Sequence, residues 1–101
     1  MRTVSDLEGD VVFSRDTILD GTVSGSARVT SGTLLKMRGT ITGDLTLEPS
    51  SVVELRGTVQ GNVTNMGGRL EIYGVVKGQV SARFGQTTVD LKATVTAVHR
   101  S

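Results

Sequence analysis

The sequence has no cysteine, no tryptophan and a single proline, and only three of its 101 side chains are aromatic. Without cysteine the chain can form neither disulfide bonds nor thiolate metal sites, so its stability must come from packing. No hydrophobic run approaches the length of a membrane span, and residues 1–10 contain no apolar stretch typical of a secretory signal. We therefore expect a cytoplasmic protein with no direct membrane insertion.

The net charge is also small, since 11 basic and 10 acidic residues leave a formal charge of +1. The two signs are interspersed along the chain, which predicts no nucleic-acid partner. The single histidine, His99, lies near the C-terminus, and no pair of carboxylates has a spacing that suggests acid–base chemistry. We expect no catalytic residue, no metal site, no cofactor and no enzymatic activity.

What the sequence does contain is an internal repeat. Self-similarity at a fixed period indicates stacked units, each of which buries its apolar face only against its neighbours. The full copies have the pattern Gly-x-Val/Ile-x-Gly and begin 18, 18 and 17 residues apart: Gly21–Gly25, Gly39–Gly43, Gly57–Gly61 and Gly74–Gly78. Two weaker copies that lack the flanking glycines, Arg2–Asp6 and Ala93–Ala97, are interpreted as the turns at the two ends.

Apolar residues within each repeat are mostly two positions apart and rich in β-branched types, which predicts strands and disfavours helix. Three sides of six residues make one 18-residue unit, so each strand should stack parallel on its equivalent in the previous unit, about 4.8 Å away. The prediction is an all-β, single-domain parallel β-helix, a triangular solenoid of about five coils. The residues that recur every six positions are Val23, Val29, Leu35, Ile41, Leu47, Val53 and Val59.

The repeat also predicts how the domain is organised. Residues 1–20 form a degenerate N-terminal coil, residues 21–92 form four regular coils, and residues 93–101 form a partial C-terminal coil. One residue is missing near Gly67–Gly68 and one is added near Phe84–Gln86, both at corners. Before each new coil, two apolar residues two positions apart are predicted to point toward the core. The last of these inward pairs is Val89 and Leu91. The corners are predicted to need tight bends, often with positive φ, at eight structural glycines: Gly21, Gly25, Gly39, Gly43, Gly57, Gly61, Gly74 and Gly78.

The recurring Gly-x-Val-x-Gly-x-Val pattern, followed by Val89–Val95, resembles the repeat domain of the bactofilin family across nearly the whole chain. This resemblance, and not the spacing, implies a right-handed β-helix. It also implies a bacterial, polymer-forming cytoskeletal protein that assembles without nucleotide. We therefore expect a structural or scaffolding protein whose main partner is itself, as filaments or small oligomers.

Self-association has a physical basis in the end turns, whose strand edges lack partners and recruit other edges unless they are blocked. Repeated end contacts generate an open filament. Another protein could dock laterally on an outer face at Arg56, Tyr73 and Lys92, with Tyr73 between the two cations. The residues expected to make the end contacts are Val4, Leu7, Val11 and Phe13 at one end and Val95 and Val98 at the other.

Two alternatives stay open from the sequence. A capped monomeric β-helix, with charged or bulky residues such as Arg15 and Arg100 covering its ends, would serve as a binding module such as an inhibitor, immunity protein or adaptor. A left-handed hexapeptide-repeat acyltransferase-like domain fits less well, because glycine does not follow the six-residue aliphatics and no inserted loop covers a substrate. The accessibility of the two end turns distinguishes a filament subunit from a capped monomer.

Overall fold

The computed structural model describes residues 2–100, apart from the side chains of Arg2, His99 and Arg100. Within this range the chain forms 14 strands and no helix, and all the strands belong to one sheet. Every strand pair is parallel. The sheet is wound into a β-solenoid of about five turns with about 18 residues per turn. The predicted all-β parallel architecture is confirmed.

The strands stack on three faces. The first face contains β1 (Arg2–Val4), β4 (Thr17–Leu19), β7 (Leu34–Met37), β10 (Val52–Leu55) and the ends of β12 (Val63–Ile72) and β13 (Val75–Val89). The second face contains β2 (Leu7–Glu8), β5 (Thr22–Ser24), β8 (Thr40–Ile41), β11 (Thr58–Val59) and the starts of β13 and β14 (Thr94–Arg100). The third face contains β3 (Val11–Phe13), β6 (Ala27–Val29), β9 (Leu45–Leu47), the start of β12, the middle of β13 and the end of β14.

Aliphatic columns fill the interior of the solenoid. The seven residues that recur every six positions, from Val23 to Val59, are all fully buried, which confirms the predicted inward positions. Leu70 and Val76 continue two of these columns into later turns and are also fully buried. Because burying one such side chain contributes about 1.5–3 kcal/mol, the columns supply the main stabilisation of a chain without cross-links.

The first turn is shorter than the repeat predicts, and this changes its register. Leu7 pairs with Val23, only 16 residues later, whereas Val4 pairs with Leu19 on the first face. The interpretation of Arg2–Asp6 as a weak copy of the glycine-flanked segment is therefore wrong. A fixed spacing carried back from the regular turns cannot detect a terminal turn that has lost residues at its corners.

The two predicted irregularities have different outcomes. Between Asn65 and Arg69 the chain is one residue shorter than the turn below, which confirms the missing residue near Gly67–Gly68. The insertion, however, lies between Val89 and Thr94 and not near Phe84–Gln86.

The inserted residues form a tight turn at that corner. Asp90 closes it, because its carbonyl accepts a bond from the Ala93 N–H at 3.0 Å and its carboxylate accepts one from the Lys92 N–H at 3.3 Å. Leu91 is fully exposed at the tip of this turn, so the expectation that it points inward is wrong. The inward pair there is Thr87 and Val89, which pair with Leu70 and Ile72.

Candidate functional site

The N-terminal end of the solenoid presents three strands that have a neighbour on one side only. Among the described residues, β1 pairs with β4, β2 with β5 and β3 with β6, so their outer edges are open. Val4, Leu7 and Val11 point toward the core from these strands but are only partly buried, because no turn covers them. Phe13 differs from them, because it is 1% exposed and packs beneath the end.

The C-terminal end has the same construction. The end of β13 and the strand β14 have neighbours on one side only within the described chain. Val95 and Val98 are partly buried on this end, as are Val89 and Ala93, which were not among the residues assigned to an end contact. Their signal was present in the sequence, since Val89 belongs to a predicted inward pair. Both ends thus combine open strand edges with half-buried apolar side chains.

Arg56 and Tyr73 meet on the outer side of the first face, where each follows its strand by one residue. The guanidinium carbon of Arg56 lies 4.8 Å from the centre of the Tyr73 ring, within the range of a cation–π interaction. The Tyr73 hydroxyl donates a hydrogen bond to the Glu71 carboxylate at 3.2 Å. The negative charge of Glu71 raises the pKa of Tyr73, and the nearby Arg56 charge opposes this shift.

Lys92 does not join this pair, so the predicted arrangement of Tyr73 between two cations is wrong. The position one turn above Tyr73 is occupied by Asp90, whose N–H bonds to Ile72 just as the Tyr73 N–H bonds to Leu55. Lys92 lies further along, in the corner that the insertion lengthens. The physical cause is the same insertion that exposes Leu91. Because the added residues come after Val89, Asp90 and not Lys92 follows the strand in the Tyr73 column.

Comparison with known proteins agrees with this architecture. The family model for bactofilins, described as polymer-forming cytoskeletal proteins, matches residues 2–97. The chain belongs to the bactofilin family. No curated protein and no solved structure matches it. Bactofilins are a structural cytoskeletal family, and the described part of this bactofilin contains no helix able to span a membrane.

The paired glycines of this bactofilin have a different role from the one predicted. None of the eight has a positive φ, and so they do not supply left-handed bends. A methyl group at Gly39, Gly57 or Gly74 would instead overlap the carbonyl oxygen of the glycine one turn below. Glycine is required at each position of this column, because the backbones of successive turns approach too closely there for any side chain.

A ladder of side-chain acceptors follows the second glycine of each repeat, and sequence analysis missed it. Asp10 accepts a bond from the Ser26 N–H, Ser26 from the Asp44 N–H, Asp44 from the Asn62 N–H and Asn62 from the Gln79 N–H, at 2.8–3.1 Å. The signal was a short polar residue directly after Gly9, Gly25, Gly43 and Gly61. This corner ladder connects the successive turns of the bactofilin from Asp10 to Gln79.

The rest of the described surface offers little chemistry. No group of three or more histidine, cysteine, aspartate or glutamate side chains converges on a point within residues 2–100. The ion pairs in this range are long and exposed, such as Lys36 with Glu54 at 3.9 Å, and contribute at most about 1 kcal/mol each. The two ends and the Arg56–Tyr73 pair are therefore the surfaces that merit a functional interpretation.

Proposed function

We propose that this bactofilin self-associates through the ends of its solenoid, without nucleotide, to form filaments or small oligomers with a scaffolding role in the cytoplasm. The observation that carries the proposal is that both ends leave open parallel strand edges beside half-buried valine and leucine side chains. Membership of a polymer-forming family supports the same function.

The physical argument follows from the unmatched edges. Each edge presents unpaired N–H and C=O groups, and the strand edge of a second solenoid end can satisfy them as an internal turn does. The contact also removes Val4, Leu7 and Val11 at one end, or Val95 and Val98 at the other, from water. Since two ends that meet do not close a ring, repetition of the contact extends an open filament.

A lateral partner is a second part of the proposal. Arg56 and Tyr73 supply a cation stacked on an aromatic ring at a half-exposed position, and both residue types are enriched at protein interfaces. The pair lies on the flank of the solenoid, so a protein bound there would leave both ends free. Lys92 lies in the neighbouring corner, so it would contact such a partner only if the surface covered by the partner extended to the C-terminal end.

Substitution of the C-terminal end tests the central claim. We expect wild-type protein to form filaments in negative-stain micrographs above a threshold concentration, and the double variant Val95→Arg/Val98→Arg to remain small by light scattering. The two arginines would place unpaired charges in a contact from which water must be excluded. Circular dichroism would verify that the variant keeps its strands.

The control is Gln60→Arg, which adds one positive charge at an exposed position in the middle of the solenoid. It should assemble as the wild type does. Persistent wild-type monomers at high concentration would contradict the proposal and leave the capped monomeric binding module. That alternative would be pursued by comparing the proteins captured by wild type with those captured by Tyr73→Ala.

A further inference from the structure

A column of five residues lies at the corner between the first and second faces. Each of them donates its backbone N–H to the carbonyl of a core-facing residue one turn below, at 2.7–2.9 Å, so successive members lie about 4.8 Å apart. The backbone therefore fixes the spacing of these side chains along the axis. All of them except Asp90 are exposed. In order along the solenoid, this flank column consists of Asp20, Arg38, Arg56, Tyr73 and Asp90.

Arg38 and Arg56 carry positive charges that form no ion pair with a carboxylate within the part of the chain whose side chains are described. They lie on successive turns, and like charges opposite each other on neighbouring strands are destabilising. An anion placed between the two guanidinium groups would therefore be favourable. The carboxylates of the adjacent strands already have other partners: Glu54 pairs with Lys36 at 3.9 Å and Glu71 with Arg69 at 3.8 Å.

Tyr73 holds the Arg56 guanidinium in one orientation. The 4.8 Å stacking distance covers one face of the guanidinium plane, so the N–H groups along its edges remain available to a carboxylate in that plane. The ring itself is restrained by the hydrogen bond from its hydroxyl to Glu71 at 3.2 Å. A side chain that is already oriented loses less conformational entropy when it binds a ligand.

We propose that the flank column binds an acidic segment of a protein partner, with a carboxylate held between Arg38 and Arg56 and an apolar side chain packed on Tyr73. This proposal rests on the lateral docking surface proposed above and specifies the chemistry of its partner. Two guanidinium groups match the geometry of a carboxylate, which accepts two parallel N–H bonds. A doubly charged phosphate fits less well, because Glu54 and Glu71 lie on the adjacent strands and would repel it more strongly.

The two ends of the flank column limit the length of the acidic stretch. Asp20 lies one turn below Arg38 and Asp90 lies one turn above Tyr73, so a longer acidic segment would meet a like charge at either end. The distance from Arg38 to Tyr73 is about 10 Å, which corresponds to about three residues of an extended chain. The expected partner segment therefore has a short acidic stretch beside an apolar residue, with neutral or basic residues on both sides.

Selection from random peptides displayed on phage tests this chemistry without a known partner. The wild-type protein, kept below its assembly threshold, would serve as bait, and peptides that also bind the double variant Arg56→Gln/Tyr73→Ala would be removed. Circular dichroism would verify that the double variant keeps its strands. Relative to the starting library, we expect the remaining peptides to be enriched in aspartate and glutamate beside an apolar residue.

The affinity of one selected peptide, labelled and measured by fluorescence anisotropy, tests the role of Arg38. Arg38→Gln leaves the Arg56–Tyr73 stack in place and should weaken binding about tenfold. Arg38→Lys keeps the charge without the planar pair of donors and should recover only part of the loss. Lys77→Gln is the matched control, because it removes one positive charge from an exposed residue on the second face that also forms no ion pair among the described side chains. It should leave the affinity unchanged.

The outcomes separate this proposal from the function beneath it. Acidic enrichment together with binding that depends on Arg38 supports it. Peptides that need Tyr73 but show no acidic enrichment overturn the acidic chemistry and leave the lateral docking surface standing. Equal weakening by Arg38→Gln and Lys77→Gln would mean attraction by net charge alone and overturns the site.

Two further results would also overturn the proposal. Selection that yields no peptide dependent on Arg56 and Tyr73 overturns the lateral docking surface as well, while end-to-end assembly is judged separately from the micrographs. If Arg38→Gln raises the concentration needed for assembly, the flank column binds a second copy of the chain and not an acidic partner.

Discussion

At the scale of single residues, Asn65 shows how one polar side chain can replace an aliphatic one inside the solenoid. It occupies the inward position that Leu47 fills one turn below, and it is fully buried. Its amide oxygen accepts bonds from the Gly67 and Gly68 N–H groups at 3.1 and 2.8 Å. Its amide nitrogen donates to the Gly68 and Gln86 carbonyls at 3.0 Å. The missing corner residue turns these backbone groups inward, and the amide satisfies them.

We expect Asn65→Leu to destabilise the protein although it restores the residue of the turn below. The buried Gly68 N–H would lose its acceptor and the Gly67 N–H would lose one as well, at a cost of about 1–3 kcal/mol per buried group. Urea unfolding followed by circular dichroism would measure the change. Thr64→Ala, which alters the neighbouring outward side chain, is the control and should shift stability by about 0.5 kcal/mol or less. A stabilised Asn65→Leu variant would contradict the role assigned to the amide.

At the scale of the repeated element, the corners are set by contact between successive backbones. The glycine column allows each turn to lie directly on the previous one, and the acceptor ladder beside it satisfies N–H groups that the corner leaves without a strand partner. Positive φ occurs instead at Gly9, Gly67 and Gly85, and at Gly32 and Ser50, whose φ values are 77° and 67°. Two different requirements for small residues thus operate at different corners of the same turn.

The two requirements predict different costs for the same substitution. Gly57→Ala would place a methyl group on the Gly39 carbonyl, and we expect a loss of about 3 kcal/mol because the backbone there cannot retreat. Gly32→Ala would meet no atom within 4 Å and would only strain φ, so we expect about 1 kcal/mol. Parallel urea titrations of the two variants would compare them. Equal losses would mean that backbone conformation, and not contact between turns, dominates at Gly57.

At the scale of the whole molecule, stability should vary along the solenoid axis. Middle turns have a neighbour on both sides, whereas the first and last of the described turns have one, and nearest-neighbour contacts dominate the stability of a solenoid. The end side chains are correspondingly half-buried, while those from Leu19 to Val80 in the core are almost all fully buried. The ends are therefore the parts of the molecule most able to gain from a partner.

Amide hydrogen exchange would reveal this gradient. In dilute protein we expect the slowest exchange in β8 to β11 and markedly faster exchange in β1 to β3 and β14, because opening an end turn disrupts only one interface. On raising the concentration past the assembly threshold, protection should rise at the ends and stay constant in the middle. Uniform protection at all concentrations would contradict both the gradient and the proposed end contacts.

Much of the fold followed from the sequence because the repeat is regular. The aliphatic residues at six-residue intervals, from Val23 to Val59, specify the inward side of three strands per turn, and every one of them is buried. The predicted register was wrong where the period changes, at Leu7 and at Leu91. A period determined from the regular turns does not indicate where an irregular turn gains or loses residues. Of the candidate site, the two ends of the stack and the Arg56–Tyr73 pair could be predicted from the sequence, whereas the place of Lys92 could not.

The sequence by itself determined the architecture, because a period of about 18 residues and its alternating apolar positions allow few ways of burying the chain. Tertiary structure decided what no local pattern carries. It moved Lys92 away from Arg56 and Tyr73 and exposed Leu91 at the tip of the lengthened corner. It also showed that Gly39 and Gly57 are required by the carbonyl groups one turn below. Such contacts depend on residues a full turn apart, and their geometry exists only once the turns are stacked.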